Sequence, residues 1–243
     1  LTLTTTLTRS ASSGRWPEVA LAMHAMKALA PHLRNASVLS LGYPDILATA
    51  EQCEEIFGVV PVAKMETPTL HTVKGPLVET MELLRLLGST LECVDVSRWR
   101  GCERIVDLNE PHDLGQFDLV IDPGTIEHCF NIGQAMMNAA NAVKVGGRIY
   151  HSPPMTMINH GFYNICPTML QDFYTQNNWE IETLEARSGE AFAPITPESA
   201  AARRVKVSME AGLVCIARRR TGAKLQYPTQ SKYLSLQQRL EAA

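Results

Sequence analysis

Residues 116–154, QFDLVIDPGTIEHCFNIGQAMMNAANAVKVGGRIYHSPP, constrain the fold more than any other stretch. FDLVID is a short apolar run with β-branched residues, the pattern of a strand covered on both faces. Asp122-Pro123-Gly124 stops it with turn chemistry. Across 131–145, Ile132, Ala135, Met136, Ala139, Ala140 and Val143 recur at helical spacing. Gly146-Gly147 predicts the end of that helix. RIYHSPP then predicts a second strand closed by a Pro-Pro break. Two parallel strands joined within one chain need such a helical crossover, so the chain is read as α/β.

Chemistry gathers at one end of this unit. In open parallel sheets, ligands bind beyond the carboxyl ends of the strands. Here those ends carry Asp122, Glu127 and His128 after one strand and His151 after the next. A second cluster, Asn159-His160-Gly161-Phe162-Tyr163-Asn164, concentrates polar and aromatic groups in one loop. A helix over 169–177 follows. An imidazole near its ordinary pKa can take a proton from a hydroxyl or amine. A metal could be drawn from Glu127, His128, His151 and His160, but no HxxxH or HxH spacing supports it, and no metal is assigned.

The acidic strand end, the helix, the Gly-Gly turn and the next strand resemble the later half of a class I S-adenosylmethionine-dependent methyltransferase. The block DPGTIEHCFN…GGRIYHSPP…NHGFYNICPTMLQDFY is similar to a bacterial subgroup met near glycan and small-molecule biosynthesis. The resemblance covers roughly residues 37–218. It implies a Rossmann-like, mostly parallel seven-stranded sheet with helices on both faces and the last strand antiparallel. It also implies S-adenosyl-L-methionine as cofactor and a small molecule or sugar as acceptor. On the matching positions, Gly42, Tyr43, Asp95, Asp107 and Leu108 would hold the cofactor, and Asp122 would orient its methionine end. Glu127, His128, His160 and Tyr163 would face the acceptor, with His128 or His160 as base.

One loop departs from the family pattern. After the first strand, SVLSLG at 37–42, the superfamily carries several glycines behind an acidic residue; this chain reads LSLGYPDIL. Only Gly42 remains, Tyr43 and Pro44 replace small residues, and Ser40 stands at the acidic position. Either the loop is remodelled, with Asp45 capping the next helix, or cofactor binding is lost. The second alternative makes the protein a non-catalytic scaffold or binding partner. Another nucleotide-dependent α/β enzyme is disfavoured by the absence of GxGxxG and of a phosphate loop.

The remaining expectations are coarser. Residues 1–14 form a flexible arm without a signal peptide's apolar core, and the chain begins without methionine, as a trimmed piece would. Helices are expected over 16–33, where His24 is a surface or packed residue, and over 45–57 and 76–87. Residues 59–75 read as a loop, and 59–90 as an insertion that could cover the site. Strands are expected at 91–99, 103–111, 179–188 and 211–218, a loop at 189–200, and a short helix at 235–240 in the extension 221–243, a candidate homodimer contact. With no repeat and no second core, a single domain over 1–243 is expected.

Charge and cysteine usage exclude some classes. The net charge is -3 and the only basic run, 218–220, reads as a solvated strand end, so no nucleic acid is expected. Six cysteines without a CxxC pair read as buried free thiols in a reducing cytoplasm. No apolar run reaches the length of a membrane span.

Overall fold

The computed structural model describes residues 20–65, 76–189, 191–195 and 209–234. In chain order the first half comprises β1 (Ala20–Leu21), α1 (Met23–Leu29), β2 (Ser37–Leu41), β3 (Asp45–Ile46), α2 (Ala50–Phe57), β4 (Lys64–Met65), β5 (Leu77–Val78), α3 (Thr80–Leu86), β6 (Thr90–Asp95) and β7 (Arg104–Ile105). The second comprises β8 (Phe117–Asp122), a 3-10 turn (Ile126–His128), α4 (Ile132–Asn141), β9 (Val143–His151), α5 (Pro167–Gln176), β10 (Glu180–Ser188), β11 (Ala191–Pro194) and β12 (Gly212–Arg218).

The main sheet runs β11-β10-β12-β9-β8-β2-β6-β7. The five strands from β7 to β9 are parallel, and β12 enters antiparallel between β9 and β10. The arrangement is Rossmann-like, as expected. Among the described residues the sheet has eight strands where seven were expected, because 191–194, expected as loop, pairs antiparallel with β10.

Alternation explains the continuous apolar runs. Leu39, Val120, Ile149 and Leu213 face a core built with Ala135, Met136, Ala139, Leu170 and Phe173 from α4 and α5. Val38, Leu119, Ile121 and Val214 face the other way, onto Met26, Leu29, Cys53, Phe57, Leu83 and Leu84 from α1 to α3. Each central strand is thus covered on both sides, which demands apolar residues at every position.

Several local expectations change. The segment expected as a helix over 45–57 opens with strand β3, and Thr49 starts α2 through a reciprocal capping box with Gln52. Strand β3 pairs with β1 and β5, and β5 with β4, forming a second sheet from pieces of the stretches read as helix or loop. Position 16 to 19 of the first expected helix and the helix at 235–240 lie outside the described residues; a helical turn occupies 231–234.

Gly146-Gly147 does not end α4, which is capped at Ala142. The pair lies inside β9, where the register with β8 shifts. Gly146 N–H donates to the Arg219 carbonyl, and Arg219 N–H to the Gly147 carbonyl. A Cβ on Gly147 would lie 2.8 Å from the Asp118 carbonyl oxygen, so the bulge requires glycine there. Arg219, within the run read as solvated, is buried and donates to the Val143 carbonyl at 2.7 Å. Four cysteines are buried, whereas Cys102 and Cys166 are exposed.

His24 packs its ring 5.7 Å from Phe192 of β11. Burial, with Arg187 nearby, pushes its pKa down from 6.5 to about 4. The unfolded chain therefore binds this proton first as pH falls. The contribution is present in full above pH 6.5 and is lost as pH falls toward 4. In thermal melts across that window, His24→Gln is expected to flatten the acid-side decline in Tm; an unchanged slope would contradict the assignment.

Candidate functional site

Asp122 ends β8 with its side chain fully buried. Its Oδ1 accepts from the backbone N–H of Thr125 at 2.8 Å and of Ile126 at 3.3 Å. These bonds fix the tight turn that becomes the 3-10 turn carrying Glu127 and His128. Its Oδ2 meets His151 Nδ1 at 2.6 Å, and His151 Nε2 bonds the Tyr174 hydroxyl from α5. With Tyr174 donating to Nε2, the Nδ1–H donates to Asp122, and each group is used. Burial pushes the Tyr174 pKa well up, so the phenol keeps the proton this requires. Thr125 Oγ1 donates to the Leu41 carbonyl at 2.6 Å, tying the turn to the end of β2.

The loop after β9 closes on this turn. Phe162 and Tyr163 both direct their N–H groups at the Glu127 carbonyl, at 2.9 and 3.3 Å. Gly161 lies so close that an added Cβ would be 2.9 Å from the Glu127 carbonyl oxygen and 3.0 Å from its Cγ. Asn159 takes a left-handed conformation at φ 62°, which asparagine tolerates better than most residues. The result brings His160 Nε2 to 3.5 Å from Glu127 Oε1. The His128 and His160 rings are 5.2 Å apart. One ligand-type atom from each of Glu127, His128 and His160 falls within 4.8 Å of the others.

Glu127 is the buried member, with its side chain 0% exposed against 16% for His160. Neither carboxylate oxygen has a hydrogen bond of normal geometry among the described residues. Burial pushes its pKa up to about 7, while His160 beside it pulls the other way. Phe130 and Phe162 form an exposed edge-to-face pair next to the cluster, with ring centroids 5.6 Å apart. Tyr163, expected to face the acceptor, spends its hydroxyl on the Phe130 carbonyl at 2.9 Å. His151, the fourth histidine of the metal reading, is turned inward to Asp122 and Tyr174.

The expected cofactor residues divide. Asp95 ends β6, half-buried; its Oδ1 accepts from Ser97 N–H at 2.9 Å and Ser97 Oγ at 3.2 Å. Its Oδ2 takes no hydrogen bond among the described residues. Gly42, at φ 81°, donates to the Val94 carbonyl at 2.7 Å, which sets it beside the end of β6. Asp107 is exposed and bonds the Asn109 backbone and side-chain N–H groups, which hold its carboxyl below the usual range. Leu108 is buried in the core on the α4 side. Asp122, expected to orient a methionine, accepts from the N–H groups of the turn and meets His151.

Tyr43 is buried and donates to Glu79 Oε1 at 2.6 Å. Asp45 does not cap α2; it is buried in β3 and ion-paired with Arg100 at 2.6 Å. Arg100 also lies 5.7 Å over the Tyr43 ring. Thr80 Oγ1 holds the Pro44 carbonyl at 3.0 Å. The first loop is thereby held against the start of α3 and the loop after β6, where glycines would have left it open.

Two residues escaped the sequence reading. Arg100 had no visible partner in the linear chain. Asn138 is a buried polar residue at an inward position of α4, and that position was a readable signal. Its side chain bonds the backbone of Leu108, Glu110 and His112, so it anchors the loop beyond β7.

No family model matches the chain, and no curated protein sequence matches it. Several solved chains are similar at a low level, among them the following two. The 1,6-didemethyltoxoflavin-N1-methyltransferase of Burkholderia thailandensis, solved with 1,6-didemethyltoxoflavin and S-adenosylhomocysteine bound, is 14% identical with a TM-score of 0.42, over 82% of this chain and 78% of that one. TehB from Haemophilus influenzae is 12% identical with a TM-score of 0.43, over 81% of this chain. The match spans 62% of TehB, less than two thirds of its length.

Gly161→Ala is expected to destabilise the protein by about 1–3 kcal/mol, since the added methyl meets backbone and a buried side chain. Chemical denaturation measures this, and wild-type stability would show that the loop does not seat on Glu127.

Proposed function

We propose that this protein transfers a methyl group from S-adenosylmethionine to an oxygen or nitrogen of a small molecule or sugar. The observation that carries the reading is the division of labour along one sheet edge. Asp95 and Gly42, at the ends of adjacent parallel strands, supply a carboxylate oxygen open to a ribose hydroxyl and a close backbone approach. Glu127, His128 and His160 gather at the ends of β8 and β9, on the other side of β2.

The donor set therefore fits the ribose end of the cofactor. The methionine end has no glycine cradle, because Tyr43, Pro44 and Asp45 fill that position. The cofactor, once bound, supplies an already activated methyl group on a sulfonium. The chain's own residues then have two tasks, alignment of the acceptor and acceptance of its proton. The exposed Phe130 and Phe162 offer an apolar face for alignment, and the imidazoles of His128 and His160, 5.2 Å apart, are the proton acceptors of this reading.

The closed first loop favours a second reading, in which the fold is retained as a non-catalytic scaffold. Calorimetric titration of S-adenosylhomocysteine separates the two. The methyl-transfer reading expects micromolar binding, weakened about tenfold or more in Asp95→Ala, the loss of one hydrogen bond to a ligand. Absence of binding at millimolar ligand would favour the scaffold.

A further inference from the structure

We infer that Glu127, His128 and His160 form a binding site for one divalent transition-metal ion of the zinc class. Three features point to it. The donor atoms come within 4.8 Å of one another, close enough to share one ion. The set is two imidazoles and one carboxylate, which suits zinc and its neighbours; magnesium and calcium prefer all-oxygen shells. Glu127 is fully buried, its Oε2 has no hydrogen-bond partner among the described residues and its Oε1 has only His160 Nε2 at 3.5 Å, so a carboxylate is aimed at the two imidazoles with acceptor capacity to spare.

The backbone is built to hold this arrangement. Asp122 fixes the turn that carries two of the donors. The two N–H bonds to the Glu127 carbonyl dock the loop that carries the third. The close approach at Gly161 admits no side chain at that position. Sequence spacing gives no warning, because the third donor comes from a separate loop.

Three protein donors leave coordination positions open, the mark of a reactive zinc site. Under the methyl-transfer reading, on which only this step rests, an acceptor hydroxyl would occupy one of them. With metal bound the imidazoles are ligands, and lowering the acceptor's proton affinity passes to the cation.

The test is calorimetric titration of zinc, and separately magnesium, into the full chain after chelator treatment. The expected result is one zinc per chain at micromolar Kd or tighter, with magnesium failing to compete. Glu127→Gln and His160→Ala should each weaken zinc about 100-fold, at least the loss seen for supporting residues of metal sites. The double variant Cys102→Ser, Cys166→Ser should bind as wild type, which rules out capture by the exposed thiols. Should a ligand variant fail to fold, wild-type protein loaded with cobalt(II) decides. Visible bands without thiolate charge transfer support the site; a thiolate band or no bands overturn it. So do unchanged zinc affinity in Glu127→Gln and absence of zinc binding. S-adenosylhomocysteine binding in the same samples reports on the methyl-transfer reading separately.

Discussion

A buried contact at the carboxyl edge of this sheet, Asp122 to His151, joins the ends of β8 and β9 at 2.6 Å. Both side chains are fully buried, so the contact is unscreened, and Tyr174 closes the far side of the imidazole. Removing one partner of a buried hydrogen bond to a charged group costs about 1–3 kcal/mol, because the remaining partner is left stranded. The pair does more than join strands. The second oxygen of Asp122 caps the turn after β8, and that turn points Glu127 toward the loop bearing His160. In the fold the Asp122 carboxylate positions both the turn and the neighbouring strand.

A second constraint acts at the neighbouring strand. The residues that displace glycines after β2 are all engaged: Tyr43 with Glu79, Pro44 with Thr80, Asp45 with Arg100. Their partners come from the start of α3 and from the loop after β6, while Asp45 itself lies in β3, between β1 and β5. Described residues of the segment expected to cover the site thus brace the first loop. The open acceptor capacity moves to Asp95, one strand further along.

The legible parts of the chain were those with a period or a buried run. Strand β8 could be read to the residue because FDLVID is apolar on both faces. The helices α4 and α5 could be read within a few residues. Two-residue strands such as β1, β3 and β5 carry no period, and their apolar residues joined the neighbouring helical stripes. Gly146 has φ 86°, which suits a helix end or a bulge equally, so the Gly-Gly pair misled. The site was half legible. Its residues stood out by type at strand ends, but the convergence of His160 on Glu127 depends on backbone hydrogen bonds that no spacing reveals.

The central claim is that Asp122 organises the site edge. Amide hydrogen exchange in Asp122→Ala, compared with wild type, tests it most directly. The account predicts coupled loss of protection at Thr125 and Ile126, which lose their acceptor, and at Phe162 and Tyr163, which lose a fixed Glu127 carbonyl. The strand β6 should keep its protection. Wild-type protection at Phe162 and Tyr163 in the variant would contradict the claim, because the loop would then be docked independently of Asp122.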